Sequence, residues 1–189
     1  MSARPYPRLH RSLSHRKSAP IPGNESPYSP IPLSRIRKTP AHPPPILEPD
    51  RATIVFVTIC VAGRREILAA PSAHEVIVKA WLSAASWLVG RYTIMPEHLH
   101  FFCTPTRAAP PLADWISYWK KLTTRLWPRR EETPVWQRGF WDTQLRRAES
   151  YDNKWLYMQE NPVRRGLASR PENWPFQGTL NELKWWQDE

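Results

Sequence analysis

The chain has 189 residues, and its 27 Lys and Arg against 17 Asp and Glu give a formal charge of +10 and a pI near 10.1. That balance makes an anionic polymer the default partner and an anionic membrane surface the alternative. No apolar run approaches the roughly 18 residues of a membrane span, and the two cysteines, Cys60 and Cys103, stand at no metal-ligand spacing, which points to a reducing cytoplasm with no required disulfide.

Residues 1–50 hold 12 of the 22 prolines, eight Lys or Arg and three Asp or Glu. Such a segment buries too little apolar surface to offset its ordering entropy and reads as a disordered basic tail. It serves either as an electrostatic arm for nucleic acid or as a solvated tail. Its prolines defeat the amphipathic helix of a transit peptide.

Residues 51–189 read as one domain. Arg51 to Ala62 is rich in β-branched residues and predicts a buried strand ending near Gly63. From Ser72 to Val89 the apolar residues Val76, Ile77, Ala80, Trp81, Ala84 and Trp87 recur at three- and four-residue spacings, which predicts an amphipathic helix stopped by Gly90. Two strands follow, Arg91 to Met95 and Leu99 to Thr104, joined across Pro96. A second helix spans Pro111 to Trp127, with proline at its start and Pro128 just past its end. A fourth strand is expected over Trp136 to Leu145, a third helix over Ala148 to Asn161, and an irregular end from Gly166 with a short last helix. The order β-α-β-β-α-β-α predicts an α+β fold, a ferredoxin-like split β-α-β sandwich with an antiparallel sheet and an added C-terminal helix. Most of the eleven tryptophans are expected in the core, with base stacking open to a few such as Trp136 and Trp141.

The segment Met95-Pro96-Glu97-His98-Leu99-His100-Phe101-Phe102 carries the densest chemistry. Strand side chains alternate faces, so His98 and His100 point one way and Leu99 and Phe101 the other. Two imidazoles on one face are either a pair of metal ligands or two ordinary strand histidines. Cys103, three positions past His100, faces the opposite side, which argues against a cysteine-rich zinc site; a deaminase signature is absent. A hard divalent ion, Mg²⁺ or Mn²⁺, completed by an oxygen ligand and phosphate oxygens, fits better.

A second constellation is Tyr157-Met158-Gln159-Glu160-Asn161-Pro162-Val163-Arg164-Arg165-Gly166-Leu167. Tyr157 and Asn161 are four apart and share a helix face, and Pro162 is expected to place both in the final turn. The bland alternative is that Asn-Pro merely stops the helix while Tyr157 packs in the core. Tyr151 lacks an amide four residues on.

MPEHLHFF (95–102), WQRGFWD (136–142) and YMQENPVRRGL (157–167), in this order and spacing, resemble the REP-associated tyrosine transposases, relatives of the single-tyrosine transposases of small insertion sequences. The resemblance runs from about Thr53 to about Gly178. It implies that His98 and His100 hold a divalent metal, that Asn161 completes the site, and that Tyr157 is the nucleophile. Lys120 resembles a family lysine with a DNA-contact role. Glu97 stands where the family usually has asparagine, which is expected to add a carboxylate beside the metal and alter affinity or metal choice. The implied activity is a metal-dependent single-strand DNA endonuclease and strand transferase acting beside palindromic hairpins through a 5′-phosphotyrosine. The implied partner is single-stranded or hairpin DNA, with no membrane and no small-molecule cofactor, for a monomer or homodimer in the nucleoid.

Around the second helix, Lys120, Lys121, Arg125, Arg129 and Arg130 are candidate phosphate contacts, as are Arg138, Arg146 and Arg147 flanking the fourth strand. Viewed singly, each reads first as a solvated surface charge. Two rival functions stand beside the leading one: a non-catalytic nucleic-acid-binding protein that keeps the fold, and a metal hydrolase using bound water with Tyr157 a bystander.

Overall fold

A computed structural model describes residues 53–133, 135–145 and 148–184. The basic tail at 1–50, and Arg146 and Arg147, lie outside the described residues. Five strands form one sheet: β1 (Val55–Cys60), β2 (Trp87–Ile94), β3 (His98–Pro105), β4 (Trp141–Gln144) and β5 (Gln177–Thr179). Their order is β4-β1-β3-β2-β5, and every pairing is antiparallel. Helices α1 (Pro71–Ser83), α2 (Leu112–Leu126) and α3 (Ala148–Arg164) complete the fold. The first four strands with α1 and α2 form the ferredoxin-like split β-α-β sandwich that the element order predicts.

The period-2 alternation of the strands sorts their side chains into two layers. Val55, Val57 and Ile59 of β1 join Leu99, Phe101 and Cys103 of β3 in the larger core, where Ile77 and Trp81 of α1 and Trp115, Ile116 and Trp119 of α2 cover them. Ile54, Phe56 and Phe102 face the other way and meet Leu145 and Met158, with Tyr151 and Trp155 packed alongside. Seven tryptophans, at 81, 87, 115, 119, 127, 136 and 174, are buried, so core packing accounts for most of the type.

Four boundaries depart from the sequence reading. Helix α1 stops at Ser83, and Trp87 begins β2 rather than closing the helix. The reason is tertiary: Trp115 Nε1 donates to the Ala84 carbonyl at 2.7 Å and Thr106 takes the Ser86 carbonyl at 2.9 Å, drawing the chain out of helical geometry. Gly90 lies inside β2, where Leu183 approaches so closely that a Cβ would sit 2.6 Å from it.

Helix α3 does not stop at Asn161 but carries Pro162 inside it to Arg164. Its end is set by Gly166 at φ 67°, with Leu167 N–H donating to Pro162 O and Gly166 N–H to Val163 O, both at 2.9 Å; this is the left-handed glycine cap that satisfies the last carbonyls. Strand β4 begins only at Trp141, and Trp136 makes an isolated bridge with Val61. The expected irregular end contains a short 3₁₀ turn and β5, which pairs with β2.

Candidate active site

Strand β3 places His98 and His100 on the α3 side of the sheet, opposite the buried Leu99 and Phe101. His98 Nε2 and His100 Nε2 lie 3.0 Å apart. Behind each ring a different group holds Nδ1: Thr58 Oγ1 lies 2.8 Å from His100 Nδ1, and Glu97 Oε1 lies 3.1 Å from His98 Nδ1. Thr58 is there because β1 pairs in a register that sets it opposite His100. A carboxylate can only accept, so His98 carries its proton on Nδ1. If Thr58 also accepts, both Nε2 atoms present lone pairs to the same point.

Burial lowers the pKa of His98, an effect that Glu97 offsets in part. His100 is lowered further, to about 3, by burial first and then by the charges of His98, Lys154 and Arg64. Both rings are therefore neutral at physiological pH, the form that ligates a cation. Phe56 stacks on His100 with ring centroids 5.4 Å apart.

Helix α3 closes the site from above. Its buried stripe, Tyr151, Trp155 and Met158, rests on Phe102 and its neighbours, which leaves Tyr157 and Asn161 on the shoulder facing the histidines. Asn161 Nδ2 is 3.3 Å from His100 Nε2. The Tyr157 ring meets His100 edge-on at a centroid distance of 5.8 Å and remains 44 % exposed, so it does not pack in the core. Tyr151 does pack there, 4.2 Å from the Phe102 ring, and burial raises its pKa. Beside Tyr157 a cleft lined by Ser150, Asn153 and Lys154 opens to solvent.

The donor set fits a divalent ion. Two ligands at right angles on an octahedral ion, each bonded at about 2.1 Å, stand about 3.0 Å from one another, which is the separation of the two Nε2 atoms. A half-turn of the Asn161 amide would put its oxygen in place of the nitrogen that lies 3.3 Å from His100 Nε2. Among the described residues no group of three or more His, Cys, Asp or Glu side chains is arranged to hold a metal ion; the further polar group beside the two Nε2 atoms is the Asn161 amide. Cys60 and Cys103 are buried and form no disulfide, and burial pushes the Cys103 thiol up.

Glu97 turns its carboxylate to the Nδ1 side of the His98 ring, away from the Nε2 atoms, and to the Arg165 guanidinium, 2.5 Å from Nη1. Burial pushes the Glu97 carboxyl up, but Arg165 and His98 outweigh that and leave it below the usual range.

Lys120 is held by the backbone that leads into β4. Its ammonium donates to the carbonyls of Gln137, Arg138 and Gly139 at 2.9, 3.3 and 2.8 Å, so its donors are committed to the protein. Burial lowers it to about 8. Lys120 lines, with Lys121, Arg125, Arg130 and Arg138, a groove of about 680 Å³ between α2 and the segment leading into β4. Arg129 is bonded to Glu132 and the Ile67 carbonyl. Thr58 and Arg165 escaped the sequence reading because neither stands in a spacing pattern with the histidines; only the β1–β3 register and the capped end of α3 bring them there.

No family model matches the chain. Over 88 residues it is 25 % identical to the REP-associated tyrosine transposase of Escherichia coli (strain K12), a match covering 47 % of this chain and 52 % of that protein. Over 102 residues it is 26 % identical to a Haemophilus influenzae protein described in the same terms, covering 48 % of this chain and 58 % of the relative. The chain thus spans little more than half the length of the curated relatives it matches. The solved structure of a REP-associated tyrosine transposase bound to a REP hairpin superposes with a TM-score of 0.58 at 21 % identity, covering 67 % of this chain and 76 % of that one. At that identity the likeness establishes the fold.

Proposed function

We propose that this chain, a relative of the REP-associated tyrosine transposases, is a metal-dependent single-strand DNA endonuclease and strand transferase that cuts beside palindromic hairpins. The observation that carries the reading is the meeting of His98 Nε2, His100 Nε2 and the Asn161 amide beneath an exposed tyrosine ring. His98, His100 and Asn161 would hold Mg²⁺ or Mn²⁺, which supplies Lewis acidity toward the scissile phosphate.

Tyr157 is the nucleophile in this reading. Its phenolic oxygen attacks the phosphorus in line, the phosphorus–O3′ bond breaks, and the 3′ oxygen leaves as a hydroxyl after taking a proton. The phenol gives up its own proton in the same step, leaving a 5′-phosphate esterified to Tyr157. That ester conserves the phosphodiester bond for joining to another 3′ end, which hydrolysis would discard. Helix α3 serves the step by holding nucleophile and amide one turn apart above the histidine pair. Lys121, Arg125 and Arg138, which line the groove beside α2, would hold the DNA backbone through charge.

The test uses the full chain with labelled hairpin DNA carrying a single-stranded flank, in Mg²⁺ or Mn²⁺, resolved on a denaturing gel. The expected product is a protein–DNA adduct that Tyr157→Phe abolishes. Cleavage with no adduct would move the assignment to a water-using hydrolase. Binding with neither product would leave a non-catalytic nucleic-acid-binding protein.

A further inference from the structure

We infer that Glu97 and Arg165 form a latch that docks the end of α3 on the turn before β3 and, through the same carboxylate, fixes the orientation of His98. The inference rests on the reading of His98 as a metal ligand for its second half only.

Three observations carry it. One oxygen, Glu97 Oε1, receives both Arg165 Nη1 at 2.5 Å and the His98 Nδ1 hydrogen at 3.1 Å, so any shift of the guanidinium is felt at the imidazole. Glu97 is nearly buried and its second oxygen has no partner among the described residues, so Oε1 alone anchors the carboxylate. Arg165 directly follows the last residue of α3, four residues beyond Asn161, and its N–H donates to the Asn161 carbonyl at 3.2 Å. The helix carrying Tyr157 and Asn161 is thereby tied at its end to the turn that leads into His98.

Two further polar links of α3 and its end are longer, Asn161 Nδ2 to His100 Nε2 at 3.3 Å and Arg165 Nη2 to Glu66 Oε1 at 3.4 Å. The stripe Tyr151, Trp155 and Met158 is apolar, and apolar packing is non-directional. A part-buried, charge-assisted and directional bond at the far end fixes the rotation and register that such a stripe leaves soft. The backbone on the other side is firm: Val61 N–H donates to the Glu97 carbonyl and Leu68 N–H to that of Pro96, each at 2.9 Å. The loop is therefore the fixed partner and α3 the element it positions. Arg165 and Glu97 are positioning residues, since neither touches the attacking phenol or the ligand atoms of the imidazoles.

Two measurements test the two halves. In metal-free full-length protein, amide exchange over residues 161–167 should speed up at least tenfold in Arg165→Met and in Glu97→Gln, while the β1 and β3 amides keep their protection. Unchanged exchange would overturn the docking. In the second, Mn²⁺ binding is followed by electron paramagnetic resonance without DNA. Arg165→Met should weaken it about tenfold, the effect typical of losing support behind a ligand. Arg165→Lys should recover most of that loss, and the double variant Glu97→Gln, Arg165→Met should be no weaker than the worse single one. Wild-type Mn²⁺ affinity in Arg165→Met would overturn the coupling to His98. If the unaltered protein binds no Mn²⁺ at all, the metal-site reading fails and the coupling with it, while the exchange result still decides the docking.

Discussion

The two imidazoles are held by unlike partners, and the difference is testable one residue at a time. Thr58 holds the ring of His100 by its Nδ1, and valine at that position keeps shape and β propensity while removing the hydroxyl. Thr58→Val should fold with wild-type secondary structure yet bind Mn²⁺ about tenfold more weakly, because the tautomer with its proton on Nε2 is no longer disfavoured. Equal affinity in a titration would show that Phe56 stacking alone sets the ring.

His100 also makes a stability prediction for the metal-free protein. Its folded pKa, about 3 against an ordinary 6.5, is depressed. The unfolded chain therefore binds the extra proton first, and stability is full above pH 6.5 and lost as pH falls toward 3. Between pH 7.5 and pH 5 the loss from this one group is about 2 kcal/mol. Urea unfolding in EDTA should show the wild type losing that much more than His100→Gln over the same interval; parallel losses would refute it.

At the scale of elements, Lys120 is informative because two roles predict different outcomes. As an anchor for the 137–139 carbonyls, it explains why β4 starts at Trp141: the backbone before it turns its carbonyls to an ammonium instead of to a neighbouring strand. Lys120→Met should then cost about 1–3 kcal/mol of stability and leave the salt dependence of DNA binding unchanged. A phosphate contact would show the reverse, with stability intact and a shallower salt dependence.

The same comparison explains what could be read from the sequence. The His98/His100 face, the Tyr157/Asn161 face and the four-strand order follow from local periods and are visible in one dimension. The stop of α1 depends on Trp115 and Thr106, which are remote in the chain. Pro162 points to an end of α3 at Asn161, whereas Gly166 sets it through its left-handed backbone. Strand β5, three residues long and containing Gly178, has too little pattern to announce itself. Glu97 was legible as a carboxylate next to His98, but its direction was not, because the cation that draws it away arrives from the other end of the domain.

For the whole molecule, the net charge of +10 has to be separated from the chemistry, and the sheet supplies a way to do so. The histidine pair sits on the α3 face, whereas Lys121, Arg125 and Arg138 line a groove beside α2, the helix that covers the opposite layer. Affinity and cleavage should therefore come apart. Each phosphate contact on duplex DNA contributes about one unit to the slope of log affinity against log salt. Replacing Lys121, Arg125 and Arg138 together by alanine should reduce that slope by about three and weaken hairpin binding most at low salt. His98→Ala should leave the slope and most of the affinity in place while abolishing the adduct. A filter-binding series from 50 to 300 mM salt decides it. If His98→Ala flattens the slope as much as the triple variant, the metal is a binding element for DNA and the division of labour between the two faces is wrong; if the triple variant binds normally, the basic tail or the α3 face carries the backbone contacts instead.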